Sequence, residues 1–119
     1  MDITFGERGS GKTTKLIKRS NAIDIPILTA TKFRAEALYR DAERMGLKIP
    51  SPITIEEYLR DRNKFKYSDV FRDGLLIDDV EDVLQQIFAG IPIREVTVTN
   101  GGNINWLKSY CCSAYRDIG

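Results

Sequence analysis

The sequence contains no histidine and only two cysteines, the neighbours Cys111 and Cys112. Without histidine, a Ser-His-Asp triad and the commonest general base are excluded. Two adjacent cysteines cannot complete a tetrahedral zinc site. A disulfide between neighbours is strained, so we expect reduced thiols and a cytoplasmic protein. Any chemistry must therefore use carboxylates, lysine, backbone amides or a metal ion.

Charge excess and long apolar runs are also missing. The 18 basic and 17 acidic residues give a net charge of +1, so no overall field attracts nucleic acid or an anionic membrane. Nucleic-acid contacts would need a local patch. No run approaches the ~20 apolar residues of a membrane helix, and the N-terminus lacks a signal-peptide pattern. We therefore expect that the protein does not associate with a membrane. The length of 119 residues predicts one domain over residues 1–119.

The first informative pattern is "GERGSGKT", residues 6–13, directly after "DITF". Gly6, Gly11, Lys12 and Thr13 match G-x-x-x-x-G-K-[ST], a loop whose backbone N–H groups cradle phosphates. A glycine-rich turn without a ligand is the alternative. The pattern predicts these nucleotide-binding residues: Gly6, Glu7, Arg8, Gly9, Ser10, Gly11, Lys12, Thr13 and Thr14.

The flanking residues have the strand–loop–helix order that such a loop requires. Asp2–Phe5 alternates polar and apolar residues, which predicts a short strand. The stretch from about Lys12 to Ser20 has no glycine or proline and predicts a helix.

Strands and helices alternate along the rest of the chain, which predicts an α/β domain with a parallel sheet. Leu38, Ala42 and Met45 recur at helical spacing, and Gly46 is a possible C-cap of that helix. Thr54 and Glu57 form the signature of a capping box at the start of another helix. A C-terminal helix is predicted from Ile104, Leu107, Cys111 and Tyr115. Residues 60–69 are polar and lack a period, so we expect them to be the most mobile. The predicted strands are Ile25–Thr29, Ile53–Thr54, Leu75–Ile77 and Glu95–Thr99.

The second informative pattern is "LLIDD", residues 75–79. A short apolar run is typical of a central parallel strand, and two acids follow it. A loop hydroxyl and an acid after a hydrophobic strand are the protein groups that hold Mg²⁺ in P-loop NTPases. We therefore expect Thr13 and Asp78 to bind Mg²⁺; a structural role for Asp78 is the alternative. Asp79 can cap the next helix, whose apolar face is Val80, Val83, Leu84, Ile87 and Phe88.

On these motifs the sequence resembles the P-loop NTPase superfamily, with residues 6–13 as Walker A and 75–79 as Walker B. The resemblance implies a three-layer α/β fold with a small parallel sheet flanked by helices. In the branch with an added catalytic strand, an acid beside the magnesium aspartate polarises the attacking water. Asp79 stands there instead of the usual Glu, and the resemblance implies that Lys12 and Asp79 are the catalytic residues. The shorter side chain of Asp79 implies slow turnover. A role for Asp79 as a helix N-cap alone is the alternative.

The same resemblance implies a polar sensor for the γ-phosphate at the tip of the strand Glu95–Thr99. Thr99 or Asn100 would occupy that position. Both residues are also ordinary turn residues at a strand end, and this alternative stays open.

The order of the intervening segments resembles superfamily 1 helicases and AAA-type ATPases reduced to a single lobe, as in a compact phage genome. In helicases such segments touch single-stranded DNA, which here implies Thr29, Thr31, Lys32 and Thr54. A basic and aromatic run can add phosphate contacts and stacking; aromatic rings packed on the core are the alternative. The run comprises Tyr58, Arg60, Arg62, Lys64, Phe65, Lys66 and Tyr67.

These observations favour a Mg²⁺-dependent ATPase that acts with DNA or a protein partner in nucleic-acid metabolism. An arginine finger would come from a neighbouring subunit or a partner protein, with Arg72, Arg94 and Arg116 as candidates within a homo-oligomer. Two alternatives remain open. One is a small nucleotide or nucleoside kinase, and the other is a nucleotide-gated binding module with negligible hydrolysis.

Overall fold

The computed structural model describes residues 1, 3–6 and 11–99. Thr13–Arg94 forms one compact unit, and the described residues before Thr13 and after Arg94 belong to a second. The single domain over residues 1–119 stays a prediction. The elements are α1 (Lys12–Ile23), β1 (Ile27–Thr29), α2 (Lys32–Arg44), β2 (Ile53–Thr54), α3 (Ile55–Arg60), α4 (Arg62–Tyr67), β3 (Leu76–Ile77) and α5 (Val80–Ile87).

The three strands of Thr13–Arg94 form a parallel sheet in the order β2-β1-β3. Leu28 of β1 is level with Ile53 of β2, and Ile27 is level with Leu76 of β3. Strands that run parallel require crossover connections. Helix α2 connects β1 to β2, and α3 and α4 lie in the connection from β2 to β3. The predicted α/β class with a small parallel sheet is therefore confirmed.

Strand β1 organises the core because its successive side chains point to opposite faces of the sheet. On one face, Ile27 packs with Ile17 of α1 and with Leu38 of α2. On the other face, Leu28 packs with Ile55 of α3 and Val83 of α5. All five of these side chains are buried. The sheet of this unit consequently has helices on both of its faces.

Two helix boundaries follow local signals that the sequence predicts. The Thr54 hydroxyl accepts a hydrogen bond of 3.1 Å from the backbone N–H of Glu57 and begins α3. At the end of α2, Gly46 has φ +70° and its N–H bonds to the Glu43 carbonyl. The N–H of Leu47 bonds to the Ala42 carbonyl, which completes a Schellman motif. Both predictions are confirmed.

The strand Leu75–Ile77 was predicted to be central, and this is wrong for the described part of the chain. The central strand is β1, whose residues are all buried, whereas β3 contains only Leu76 and Ile77 and pairs with β1 alone. Ile77 is 44% exposed. An apolar run identifies a strand, but the number of its neighbours depends on segments elsewhere in the chain.

The apolar face predicted for α5 is buried only in part. Val83 is buried, but Val80 is 56% and Phe88 49% exposed. Helical periodicity identified the helix correctly. It could not identify how much of the helix the rest of the unit covers, because coverage depends on partner elements.

The first and the last of the predicted strands along the chain are not strands in the described residues. Glu95–Thr99 has no regular secondary structure, and Val96 and Val98 are 58% and 54% exposed. Alternation without a paired neighbour gives no ladder of hydrogen bonds. Of Asp2–Phe5, Asp2 lies outside the described residues and Ile3 forms a single bridge. The predicted helix of Ile104, Leu107, Cys111 and Tyr115 also lies outside them.

Residues 60–69, which we expected to be the most mobile, contain the whole of the short helix α4. One contact explains the helix. The ring of Phe65 lies 6.0 Å from that of Tyr58 and 5.4 Å from that of Phe71, measured between centroids. Tyr58 and Phe71 in turn pack against the core around Leu28. These ring contacts join α4 to α3 and to the segment before β3, so residues 60–69 by themselves do not reveal them.

We predict that Gly46→Ala lowers the free energy of unfolding by about 1 kcal/mol, because alanine disfavours positive φ. A Cβ at Gly46 would meet no atom within 4 Å, so the backbone conformation is the whole cost. Gly46→Asn is the matched control, since asparagine tolerates this conformation. Urea unfolding followed by circular dichroism measures both. A loss for Asn as large as that for Ala would contradict the explanation.

Candidate functional site

The carboxyl ends of the three parallel strands lie at one edge of the sheet and carry polar residues. Thr54 ends β2, Thr29 ends β1 and Asp78 directly follows β3. The connection from β1 leads to β2 on one side, while β3 lies on the other side of β1. In open α/β sheets, ligands bind outside the carboxyl ends of strands at such a switch point. The edge between β1 and β3 is therefore the candidate site.

Asp78 is a buried carboxylate at this edge. Its backbone N–H donates to the Leu28 carbonyl at 3.0 Å, which continues the pairing of β3 with β1. Its side chain is only 6% exposed. A buried charge is costly unless it is paired. The Oδ2 atom accepts hydrogen bonds from Nε of Arg34 at 2.9 Å and, more weakly, from the Thr29 hydroxyl at 3.4 Å.

Arg34 connects Asp78 to the start of α1. It lies in the first turn of α2, where its backbone N–H donates to the capping hydroxyl of Thr31 at 3.1 Å. Its Nη2 atom donates to the hydroxyl oxygen of Thr13 at 3.0 Å. The hydrogen bond to Asp78 raises the pKa of Arg34 above its ordinary value. One guanidinium group thus bridges Thr13 and Asp78 with a permanent positive charge.

The structure therefore brings together Thr13 and Asp78, the pair expected to bind Mg²⁺, around a shared cation. Sequence reasoning missed Arg34. A usable signal existed, because Arg34 lies three residues after a helix-capping threonine that follows a parallel strand. The first turn of such a helix lies at the same edge as the residue after the neighbouring strand.

The oxygen atoms of Thr13 and Asp78 suit Mg²⁺, which binds one or two protein oxygens together with phosphates and waters. Within the described ranges, no group of three or more acidic or cysteine side chains could hold a metal by itself. The fit has one condition: Arg34 now bonds to the same two oxygens and would have to move.

Within the glycine-rich pattern, a hydrogen bond joins two of the described residues. The ammonium group of Lys12 donates to the Gly6 carbonyl at 2.8 Å. Gly11 has φ +85°, a conformation that favours glycine. Thr14 is exposed. The predicted nucleotide-binding residues Glu7, Arg8, Gly9 and Ser10 lie outside the described residues, and nucleotide binding stays a prediction.

Asp79 is exposed and begins α5. Its backbone has φ +58°, and its Oδ1 atom accepts a hydrogen bond of 3.4 Å from the Asp82 N–H. The capping role considered for Asp79 is thus present in the structure. Its catalytic role stays a prediction. The same holds for the sensor, since Thr99 is exposed outside any strand and Asn100 lies outside the described residues.

All three threonines considered for contacts with DNA use their hydroxyls in hydrogen bonds within the protein. Thr29 and Thr54 are buried, and bond to Asp78 and to the backbone of α3. Thr31 caps α2, and Lys32 is exposed. These bonds make Lys32 the best placed of the four for a contact with phosphate.

The aromatic residues of the basic run divide into two kinds. Tyr58 and Phe65 pack with Phe71, as the alternative for this run proposed. Tyr67 is 80% exposed, and the ammonium group of Lys66 lies 5.6 Å from the centre of its ring. An exposed ring beside a cation can stack on a base next to a phosphate. Tyr67 is therefore the aromatic residue of the run that is available to a nucleic acid.

No protein-family model, curated protein or solved structure matches this chain. The class defined by the fold is an α/β protein with a small parallel sheet. In the part of the chain that the structure describes, no helix is long and apolar enough to cross a membrane.

We predict an asymmetry in the ion pair between Arg34 and Asp78. Arg34→Met should lower the free energy of unfolding by about 3 kcal/mol, because it leaves a buried charge without its partner. Asp78→Asn should cost only about 1 kcal/mol. The Arg34 side chain is 39% exposed, so its charge can turn to water. Urea unfolding measures both losses, and adding Asp78→Asn to Arg34→Met should recover part of the larger one. Equal losses would refute the asymmetry.

Proposed function

We propose that the protein binds ATP together with Mg²⁺ and hydrolyses the nucleotide slowly. The observation that carries this proposal is the convergence of the Thr13 hydroxyl and the Asp78 carboxylate on one guanidinium. The two residues are far apart in sequence, and each belongs to a motif that predicts a phosphate or magnesium site. A place at the carboxyl edge of a parallel sheet supports the same function.

Each residue of the two motifs has a role in this proposal. The glycine-rich pattern predicts backbone N–H donors for phosphate oxygens, and the positive end of the α1 dipole would favour the negative charge. Lys12 would exchange its bond to the Gly6 carbonyl for the β- and γ-phosphates. Thr13 and Asp78 would hold Mg²⁺, which neutralises charge on the phosphates when it is bound.

Hydrolysis would require a group that orients and polarises water, and Asp79 is the candidate. One of its carboxylate oxygens caps α5, which leaves the other to accept a hydrogen bond from water. An arginine from another subunit would complete the charge stabilisation. Arg72 and Arg94 are exposed and can serve in a homo-oligomer, whereas Arg116 lies outside the described residues.

The capping bond of Asp79 also favours a second function, a module in which ATP controls binding without appreciable hydrolysis. The aspartate side chain is shorter than that of glutamate, and its carboxylate is bonded to the start of α5. Its reach towards a water molecule is therefore limited. Tyr67 and Lys66 form the surface that we propose for single-stranded DNA. In this function, nucleotide binding would alter the affinity for DNA, and phosphate release would stay negligible.

We predict that Lys12→Ala abolishes ATP binding, because Lys12 supplies the cation that faces the β- and γ-phosphates. Lys15→Ala is the matched control. It removes the same charge from an exposed position of the same helix and should leave binding within about twofold, since exposed charges are well screened. Isothermal calorimetry with Mg²⁺ and ATP measures both affinities. An unchanged affinity in Lys12→Ala would exclude the assigned nucleotide site.

We predict that Asp79→Asn separates hydrolysis from folding and binding. Asparagine caps helices about as effectively as aspartate does, and it tolerates positive φ. The free energy of unfolding and the ATP affinity should therefore stay unchanged. Phosphate release should fall about 100-fold or more, as is typical for the loss of a general base. Asp79→Ala is the comparison and should lose about 1–2 kcal/mol of stability as well. Assays with and without single-stranded DNA test both functions. Absent turnover in the unsubstituted protein under both conditions would favour the binding module.

A further inference from the structure

The Arg34 guanidinium bonds to the two oxygen atoms that Mg²⁺ would use. Its Nη2 atom lies 3.0 Å from Thr13 Oγ1 and its Nε atom lies 2.9 Å from Asp78 Oδ2. The arginine supplies a single charge on a flexible side chain, whereas Mg²⁺ supplies two charges and needs oxygen ligands. The guanidinium and the ion would therefore compete for one position.

Arg34 has a route out of this position. Its side chain is 39% exposed, whereas that of Asp78 is 6% exposed. The backbone of Arg34 is fixed by the cap of α2 through Thr31. Rotation of the long side chain can consequently release both contacts while the helix stays in place, and the released charge would enter water.

A phosphate would give the released guanidinium a better partner than water does. Arginine binds phosphate through two parallel hydrogen bonds. A triphosphate beside Thr13 would place anionic oxygens next to the first turn of α2, as the proposed function requires. Nucleotide would draw Arg34 away from Thr13 and Asp78 and so make both oxygens available to the metal.

We infer that Arg34 is a tethered cation that excludes divalent metal from Thr13 and Asp78 until a triphosphate binds and takes over its guanidinium. This inference rests on the proposed function for the identity of the ligand. It makes metal binding and nucleotide binding cooperative. Because such coupling is reciprocal, metal strengthens nucleotide binding by the same factor.

Mn²⁺ binding without nucleotide tests the competition, because the paramagnetic resonance signal of free Mn²⁺ is lost on binding. Arg34→Gln removes the charge but keeps a hydrogen-bond donor for Asp78. A competitor that occupies the site for about 90–99% of the time weakens apparent affinity about 10- to 100-fold. We therefore expect Arg34→Gln to bind Mn²⁺ at least about tenfold more tightly than the unsubstituted protein. Combining it with Asp78→Asn should remove the gain.

The test has a second variant in case Arg34→Gln does not fold, which circular dichroism would reveal. Arg34→Lys keeps the charge but has a single ammonium group, which cannot match the two directed bonds of the guanidinium. It should bind Mn²⁺ several-fold more tightly than the unsubstituted protein. Equal Mn²⁺ affinity in the folded variant and the unsubstituted protein, including no binding by either, overturns the inference.

Failure of the proposed function gives a different result. If the unsubstituted protein fails to bind ATP while Arg34→Gln still gains Mn²⁺ affinity, the competition stands and the nucleotide assignment falls. If both hold, ATP should raise the Mn²⁺ affinity of the unsubstituted protein far more than that of Arg34→Gln. An equal increase in the two proteins would overturn the role of Arg34 in the coupling.

Discussion

The pairing of the buried Asp78 carboxylate is the constraint on which the candidate site depends. A charge that is 6% exposed after a short strand is stable only with a cation or several hydrogen-bond donors nearby. Arg34 satisfies this requirement through its Nε atom. The Nη2 atom of the same guanidinium donates a hydrogen bond to the Thr13 hydroxyl. The start of α1, the first turn of α2 and the end of β3 are therefore tied to one another by a single guanidinium group.

Strand β1 provides the framework for that contact. Ile27 and Leu28 point to opposite faces and attach α1 and α2 on one side and α3 and α5 on the other. The next residue, Thr29, is fully buried and donates its hydroxyl to Asp78. The same three residues thus form the middle of the core and reach the site, so substitutions in β1 would affect both.

Sequence predicted those parts of the molecule whose causes are local. Caps at Thr54 and Gly46 depend on a few neighbouring residues, and they occur as expected. The meeting of Thr13 and Asp78 was expected from the two motifs, although the strand predicted before Thr13 is not a strand in the described residues. Arg34 was missed because its role depends on a contact across the sheet edge. The prediction of a strand at Glu95–Thr99 was wrong because an alternating pattern specifies a strand only where a neighbouring strand pairs with it.

The local structure also explains why aspartate suits position 79. Helix α5 begins directly after β3, and the junction requires φ +58° and an acceptor for the Asp82 N–H. Aspartate satisfies both requirements, because its short side chain tolerates this conformation and reaches the helix end. Glutamate is less suited to either. The turn that places Asp78 at the sheet edge thus favours a residue with shorter reach at the next position, and in the proposed function this shorter reach would slow hydrolysis.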